Sequence, residues 1–308
     1  MPTREYSTMI YPKFGVSQFH EQGIYGRGVS IYIIDTGLSN TADKLSDVKV
    51  RSLENPMGRR NTHGSFVTSI VASKASSNRD KVPGIAPDSQ VYLSDVSGSS
   101  GVIYTSALVS AIRDAIELQV DIISISLGTN TYDQGLENIV EEAAKRNILV
   151  FAAAGNCSCR AYEFPGACDS AISVGSIDMN RKLSPFNTRN DTVALFAPGQ
   201  NIAVPGSSSR LSGTSFAVPF VSGLAALELC RRRRHDPKAK MDRLDAIGTL
   251  RTLLSLDANV HTYSKSTGPV QGSFRPAEND AIVWLLFLSF FSGILVIYSI
   301  SLARRFLP

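Results

Sequence analysis

Between residues 15 and 256 the chain alternates short apolar runs with longer stretches in which apolar side chains recur every three or four positions. The first pattern predicts strands buried on both faces, and the second predicts amphipathic helices. Strands are predicted at residues 29–34, 91–93, 121–127, 148–152, 171–174 and 192–196, and helices at residues 65–72, 103–118, 136–145, 214–230 and 243–256. Such alternation is typical of an α/β fold, in which helices cover both faces of a mostly parallel sheet.

Other segments flank this predicted domain. Residues 1–14 are interpreted as an N-terminal extension, and residues 257–280, rich in Ser, Thr, Gly and Pro, as a linker. Residues 281–303 form a run of 23 residues without a charge. A helix of that length reaches about 34 Å and can cross a hydrocarbon core of about 30 Å, so one C-terminal transmembrane helix is predicted. Residues 304–308 form a short basic tail.

Two signals bear on the orientation of this single-pass anchor. Arg304 and Arg305 follow the span directly, and the positive-inside rule alone would place that end in the cytosol. Residues 1–20, however, contain no apolar run long enough for a secretory signal. We therefore expect a C-terminally anchored membrane protein whose large domain, residues 15–256, faces the cytosol.

Composition narrows the functional classes. Lys and Arg number 31 against 27 Asp and Glu, a formal net charge of +4, which is too balanced to favour a nucleic-acid-binding protein. The run RRRRH at residues 231–235 is interpreted as a solvated turn between two helices. Hydrophobic residues make up 43% of the chain and charged residues 19%, which excludes a disordered chain.

The four cysteines are too few for a disulfide-stabilised scaffold. Cys157, Cys159 and Cys168 fall close together, but a zinc site would need a fourth ligand nearby. Reduced thiols are favoured, because no signal for an oxidising compartment is visible, and a disulfide from Cys168 to Cys157 or Cys159 is the alternative. Cys230 falls in a predicted buried helix. No glycine-rich phosphate loop follows a strand, and no cofactor is expected.

Four polar residues stand where predicted strands end or helices begin. The motifs that carry them are IIDTG around Asp35, NTHGSFVTSIVAS around His63, AAAGN ending in Asn156, and SGTSFAVPFVSG around Ser215. Alone, each has an ordinary explanation, such as a surface histidine, a turn asparagine or a helix-capping serine. Side chains at the carboxyl ends of parallel strands do, however, project into the crevice where open α/β sheets bind ligands.

With these motifs in this order, the sequence resembles the subtilisin-like serine endopeptidases, the subtilase family, with a spacing nearest to the proteinase K branch. The matching stretches are IIDTG, HGSFVTSIVAS, SLGT, AAAGN, SPFN, FAPG and SGTSFAVPFVSG. The resemblance covers residues 15–256 and implies a subtilisin-like three-layer fold. The chain order Asp, His, Ser is one of the convergent arrangements of the serine-protease triad.

The resemblance implies a catalytic role for each of the four residues. Ser215 would attack the scissile carbonyl, His63 would take its proton, and Asp35 would orient the imidazole and stabilise its charged form. Asn156 and the backbone N–H of Ser215 would form the oxyanion hole. The expected function is therefore a membrane-anchored serine endopeptidase that hydrolyses protein or peptide substrates.

The resemblance also implies where a substrate would bind. Gly101 and its neighbours would provide an edge strand that pairs with the substrate backbone. The walls of the primary specificity pocket would be Ser126, Leu127 and Gly128 on one side, and Ala153, Ala154 and Gly155 on the other. These small residues suggest an open slot for an apolar or aromatic residue before the scissile bond. Structural calcium is common in the family, but no carboxylate cluster here is assigned to it, so no metal site is predicted.

The sequence departs from the family pattern at two places near the predicted site. Ser65 and Phe66 follow Gly64 where Gly-Thr-His is usual, and Phe220 stands where a histidine usually follows the proline. Neither place carries the predicted chemistry. The alternative function is a catalytically silent subtilisin-like binding module on a membrane. The four intact site residues argue against it.

Overall fold

The computed structural model describes residues 10–38, 45, 47–52, 62–74, 83–97, 102–203 and 210–255, and the backbone of the pairs 282–283, 290–291 and 294–295. The predicted linker, most of the predicted transmembrane helix and the predicted basic tail lie outside the described residues. Within the described part, no helix is both long enough and apolar enough to cross a membrane.

Helices and strands alternate along the described chain. The helices are α1 (Tyr11–Lys13), α2 (Ser17–His20), α3 (Thr62–Ala72), α4 (Thr105–Glu117), α5 (Gln134–Lys145), α6 (Thr214–Arg233) and α7 (Arg243–Leu253). The strands are β1 (Ser30–Asp35), β2 (Lys49–Ser52), β3 (Gln90–Asp95), β4 (Ile103–Tyr104), β5 (Ile122–Ile125), β6 (Leu149–Ala153), β7 (Ile172–Ile177), β8 (Val193–Pro198), β9 (Ile202–Ala203), β10 (Arg210–Leu211), β11 (Ile282–Val283), β12 (Phe290–Phe291) and β13 (Ile294–Leu295).

Seven parallel strands form one sheet in the order β2-β3-β1-β5-β6-β7-β8. The order reverses at β1, which pairs with β3 on one side and with β5 on the other. Along β1, Ile31 and Ile33 pack into one buried core, and Tyr32 and Ile34 pack into the core on the opposite face. Because both faces are buried, the strand is apolar from Ile31 to Ile34, just before its last residue.

Helices cover both faces of this sheet. The apolar positions of α4 and α5 recur every three or four residues and pack on one face, as Leu136, Ile139, Val140 and Ala143 show for α5. Helices α3, α6 and α7 cover the other face. Every residue of α6 from 214 to 230 is buried. The predicted α/β fold with a mostly parallel sheet between two helical layers is confirmed.

The first described residues belong to the packed core. Ile10, Tyr11 and Phe14 are buried, and the Phe14 ring meets the ring of Phe220 in α6 edge-on, at a centroid distance of 6.1 Å. Phe220, where the sequence departs from the family pattern, therefore has a packing role. The domain boundary predicted after residue 14 therefore lies within the packed core.

Some elements were not predicted from the sequence. Strand β2 lies at the edge of the sheet, and its single apolar residue, Val50, is half exposed between Lys49 and Arg51, so it has no apolar run. The short helices α1 and α2 lack the length for a periodic pattern. Strand β4 occupies the first two residues of the helix predicted at 103–118, and α4 begins after it.

The first three arginines of the run at residues 231–235 close helix α6 and are paired with carboxylates. Its first two arginines form ion pairs with Glu228, one turn earlier in the helix. Arg233 pairs with the buried Asp121 at 2.5 Å, and Lys240 binds the same carboxylate at 2.6 Å. The solvated turn expected here is therefore limited to residues 234–235, because residues 231–233 belong to α6 and are held by ion pairs.

The described pairs within residues 281–303 form short strands. Strand β11 pairs antiparallel with β4, and β12 pairs antiparallel with β13. For these six residues the structure differs from the predicted transmembrane helix. Ile, Val and Phe have high strand propensities, so strand pairing competes with a helix in such a run.

Candidate active site

The candidate site lies at the carboxyl edge of the sheet, where the strand order reverses. Asp35 is the last residue of β1, and Ser126 directly follows β5, the neighbouring strand. Asn156 follows β6, the next strand in the sheet. Because the strands are parallel, their carboxyl ends meet at one edge, and open α/β sheets form their crevices there.

Asp35 and His63 form a buried pair. The Nδ1 atom of His63 lies 2.8 Å from Oδ1 and 3.0 Å from Oδ2 of Asp35, and both side chains are almost wholly shielded from solvent. The carboxylate also accepts hydrogen bonds from the backbone N–H and the hydroxyl of Thr36. These donors hold the carboxylate in place. The carboxylate in turn favours an imidazole with its proton on Nδ1, which leaves Nε2 on the far side of the ring as the proton acceptor.

A close backbone approach fixes where α3 presents His63. Gly64 packs so tightly on the turn after β1 that a Cβ atom would overlap the carbonyl oxygen of Thr36 and lie 2.8 Å from that of Gly37. The Gly64 N–H donates to Oγ1 of Thr36 at 3.0 Å. The absence of a side chain at residue 64 therefore lets the helix begin directly beside Asp35.

Gly64→Ala is expected to destabilise the domain by about 3 kcal/mol or more, because an overlap with buried backbone atoms is relieved only by moving the start of α3. The same shift should disturb the Asp35–His63 pair. Gly248→Ala is the matched control, since Gly248 is exposed in α7, has nothing within 4 Å of an added Cβ, and alanine favours a helix. Thermal unfolding measures both variants, and equal melting temperatures would contradict the prediction.

Ser215 is the second residue of α6 and is fully buried. Its Oγ has no hydrogen-bond partner among the described residues. The Thr214 N–H donates to Oδ1 of Asn156 at 2.9 Å, which ties the start of the helix to the loop after β6. The His63 ring reaches the same helix start, because it lies 5.4 Å from the ring of Phe216, centroid to centroid. The structure therefore brings the four predicted residues to one place.

A proline inside α6 changes the hydrogen bonding of the Ser215 carbonyl. In a regular helix this carbonyl would accept from the N–H of residue 219, but Pro219 has no N–H. The hydroxyl of Ser126 donates to it instead, at 2.9 Å. This bond joins the end of β5 to the helical turn that carries Ser215 and so positions Ser215 against the sheet.

The amide of Asn156 lies beside Ser215. Its Oδ1 accepts from Thr214, so Nδ2 is the part of the amide that can donate. A Cβ atom on Gly213 would lie 3.1 Å from Oγ of Ser215 and 3.5 Å from Nδ2 of Asn156, so both atoms border one small space. The Ser215 N–H belongs to the first turn of α6, where the helix dipole favours negative charge. The arrangement can offer two donors to an oxyanion.

Asn156→Ala is expected to lower kcat by about 10²–10³ with a modest change in KM, because one oxyanion donor is lost. Steady-state kinetics on a chromogenic peptide measure the change. Asn138→Ala is the control, since Asn138 is exposed on α5 and should not affect kcat. Urea unfolding of both variants shows whether the bond to Thr214 also matters for stability. An unchanged kcat in folded Asn156→Ala protein would exclude Asn156 from the oxyanion hole.

The two predicted walls of the specificity pocket lie at the ends of neighbouring strands. The first wall directly follows β5. The second wall consists of the last residue of β6 and the two residues after it. All six wall residues are buried: Ser126, Leu127, Gly128, Ala153, Ala154 and Gly155. Gly101, the predicted edge-strand residue, lies outside the described residues.

Glu163 lies between these walls and was not identified from the sequence. A Cβ atom on Gly128 would lie 3.5 Å from its Oε2, and a Cβ atom on Gly155 would overlap its Cγ. Glu163 is 8% exposed, and this burial raises the pKa of its carboxyl to about 7. Its place depends on backbone pairing between Phe164 and Thr129, which are distant in the chain. The local sequence around Glu163 holds no signal for this placement.

Glu163 is expected to make the domain less stable as the pH rises. The pKa of its carboxyl is about 7 in the folded chain against an ordinary 4.5, so the folded state holds the proton more tightly. The free energy of unfolding therefore falls between about pH 4.5 and pH 7. Glu163→Gln should stabilise the domain by at most about 3 kcal/mol at pH 8 and by little at pH 4. Urea unfolding at both pH values measures this, with Glu117→Gln, an exposed carboxyl in α4, as the control. The same change at both pH values would contradict it.

The structure corrects the expected thiol chemistry. A disulfide joins Cys157 and Cys159, whereas the sequence favours reduced thiols and offers only a bond to Cys168 as the alternative. Both half-cystines are exposed in the loop after Asn156, while Cys168 is enclosed in the apolar core beneath α4 and α5. Cys168 and Cys230 are free and buried. In the part of the chain that the structure describes, no group of three or more His, Cys, Asp or Glu could hold a metal ion.

The family of the protein follows from the sheet, the site and a sequence match. Residues 26–279 match the model of the Subtilase family, Peptidase S8. The chain belongs to this family. Its homologues and structural neighbours are proteases.

Bacterial subtilisins are among its relatives. Subtilisin from Bacillus pumilus is 32% identical over 253 residues, which cover 77% of this chain and 91% of that protein. Subtilisin E from Bacillus subtilis (strain 168) is 31% identical over 253 residues, covering 77% of this chain and 66% of that protein. The chain thus spans just under two thirds of the length of subtilisin E.

Solved structures of maturation proteases share the fold. The prenylagaramide maturation protease PagA superposes with a TM-score of 0.65 and 26% identity, covering 78% of this chain and 88% of that one. The patellamide maturation protease PatA superposes with a TM-score of 0.62 and 28% identity, covering 77% of this chain and 91% of that one.

Proposed function

We propose that this chain is a serine endopeptidase that hydrolyses peptide bonds in proteins or peptides. The observation that carries the proposal is the buried Asp35–His63 pair, which lies beside the helix start that carries Ser215. A carboxylate that fixes one ring nitrogen leaves the other to accept the proton of a serine hydroxyl. Membership of a family of proteases supports the same chemistry.

In the first half of the proposed reaction, Oγ of Ser215 attacks the scissile carbonyl carbon and its proton moves to Nε2 of His63. Asp35 keeps the ring oriented and stabilises the positive charge that it gains. The carbonyl oxygen becomes an oxyanion, which Nδ2 of Asn156 and the Ser215 N–H stabilise. The C–N bond then breaks, His63 gives its proton to the leaving amine, and an acyl-enzyme remains on Ser215.

In the second half, water replaces the amine. His63 takes a proton from the water as its oxygen attacks the acyl carbon, and the same two donors stabilise the second oxyanion. The bond to Oγ of Ser215 breaks, and His63 returns its proton to that oxygen. Every proton is exchanged among His63, Ser215, the substrate and water, so the scheme uses no cofactor.

The substrate would bind across the carboxyl edge of the sheet. Its extended backbone would pair with the edge near Gly101, and the two pocket walls would hold the side chain before the scissile bond.

The motif spacing supports a place near the proteinase K branch within the family.

A fluorophosphonate probe tests the proposal and separates an enzyme from the catalytically silent binding module. The probe reacts with an activated serine, so the wild-type protein should be labelled on Ser215 and should hydrolyse casein. Folded wild-type protein that is neither labelled nor active would favour the binding module.

We also propose that residues 281–303 anchor the enzyme to a membrane. The support is an uncharged run whose length as a helix matches a hydrocarbon core. The full chain expressed in cells should stay with membranes during carbonate extraction, whereas a matched chain without residues 281–303 should be released. Release of the full chain would reject the anchor. Protease added to intact vesicles then shows on which side of the membrane the catalytic domain lies. Digestion of that domain without detergent would support the expected cytosolic side.

A further inference from the structure

The predicted specificity pocket contains an ionisable side chain. Glu163 enters the space between Gly128 and Gly155, which belong to opposite walls. Both wall residues are glycines, so no Cβ atom separates the carboxylate from this space. A Cβ atom on Gly128 would lie only 3.5 Å from Oε2. The small wall residues alone would form an apolar slot. Glu163 places a carboxylate in that slot.

The described part of the chain provides no partner for this carboxylate. Its oxygens form no hydrogen bond or ion pair with the described residues, and burial is the only cause of its raised pKa. Asp121, which is about as buried, instead binds both Arg233 and Lys240. A buried carboxylate without a partner costs free energy in its charged form, and a cationic ligand would supply that partner.

The backbone, and not the carboxylate itself, holds Glu163 in this place. The Phe164 N–H donates to the Thr129 carbonyl at 2.7 Å, and the Thr129 N–H donates back at 2.9 Å, directly after the first wall. The Ala167 N–H donates to the Glu163 carbonyl at 2.7 Å. The backbone that carries the side chain is therefore in place before any ligand binds, which reduces the entropy lost on binding.

We propose that Glu163 is the specificity-determining residue of this pocket and that the enzyme prefers lysine or arginine directly before the scissile bond. The inference rests on the proposed function, because it names the substrate class of the same site. An ammonium or guanidinium group would form charge-assisted hydrogen bonds with the carboxylate of this largely buried side chain. An apolar side chain would leave the carboxylate buried and unpaired, so this preference replaces the apolar or aromatic one expected from the wall residues.

Two peptide substrates that differ only in arginine or citrulline before the scissile bond test the proposal. Citrulline has the shape of arginine without its charge. Wild-type protein should cleave the arginine peptide with a kcat/KM about 10²-fold higher than the citrulline peptide at pH 8. In Glu163→Gln the ratio should fall to within a few-fold of 1. Glu117→Gln is the control and should keep the wild-type ratio.

The outcomes separate this inference from the proposed function. A wild-type ratio near 1, or a preference for phenylalanine that Glu163→Gln leaves unchanged, would overturn the role of Glu163. Fluorophosphonate labelling of the same preparations reports the nucleophile independently of this preference. Labelled protein without an arginine preference would overturn the inference alone, whereas unlabelled, inactive protein would overturn both.

A measurement on wild-type protein covers the case in which Glu163→Gln does not fold. The arginine-to-citrulline ratio of kcat/KM should rise as the pH passes through about 7, because the pKa of the Glu163 carboxyl is about 7. Gly128 and Gly155, which pack against it, carry no titratable group. Any effect of pH on the catalytic step that both substrates share cancels in the ratio. A ratio that does not change with pH would overturn the proposal.

Discussion

Ser215→Ala is expected to abolish peptide hydrolysis, lowering kcat by about 10⁶ while leaving the fold intact. In the proposed reaction the Ser215 hydroxyl forms the new bond to the substrate carbon. Its Oγ makes no hydrogen bond with the described residues, so its removal breaks no structural contact in that part of the chain. Steady-state kinetics on a chromogenic peptide measure the loss, and thermal unfolding confirms that the variant is folded.

Ser222→Ala is the matched control for this variant. Ser222 is also a buried serine of α6, and its hydroxyl donates only to the Val218 carbonyl within the helix, at 3.0 Å. Both variants therefore lose a buried hydroxyl from the same helix. Only Ser215→Ala should lose activity and fluorophosphonate labelling. Substantial hydrolysis by purified Ser215→Ala protein would reject the proposed mechanism.

Asp35→Asn is expected to lower kcat by about 10⁴ with little change in KM. Asparagine keeps the size of the side chain but presents an amide to Nδ1 of His63. The amide favours the wrong tautomer of the imidazole and no longer stabilises its positive charge. Since Asp35 lies 2.8 and 3.0 Å from that nitrogen, both effects act directly on the proposed base.

Single-turnover kinetics separate this effect from substrate binding, because they report the chemical step. Asp169→Asn is the control: Asp169 is exposed, and the same change there should leave the rate unchanged. Asp35→Asn protein that is folded and keeps the wild-type rate would show that His63 does not depend on the carboxylate.

The apolar pattern along the chain was enough to predict most of the sheet. Strands β5, β6 and β7 overlap the predicted runs, because a strand covered by helices on both faces has to be apolar throughout. Edge strand β2 could not be predicted, since β3 is its one partner among the described strands and it carries Lys49 and Arg51. The burial of the first turns, around Phe14, depends on helices far along the chain, so the local sequence predicts only an extension there.

The four polar residues at the candidate site were visible in the sequence because each stands at the end of a strand or the start of a helix. Such positions require particular residue types, so they are visible as local motifs. Gly64 is an example, because only glycine fits where the backbone of α3 touches the turn after β1. The contacts that complete the site were not visible. The bond from Ser126 to the Ser215 carbonyl follows from the missing N–H of Pro219 and from the packing of β5 against α6.

The sequence by itself determined the order of the elements, the parallel sheet and the polar residues at its carboxyl edge. These properties depend on the backbone conformation and burial that each short segment requires, and both leave a periodic pattern. Only the tertiary structure decided that Glu163 lies between the pocket walls and that Cys159 is bonded to Cys157. The first depends on how closely two backbone segments approach, and the second depends on how one loop folds between residues two apart. At Gly128 that approach brings in the carboxylate of Glu163 from a segment far along the chain, which no local pattern encodes.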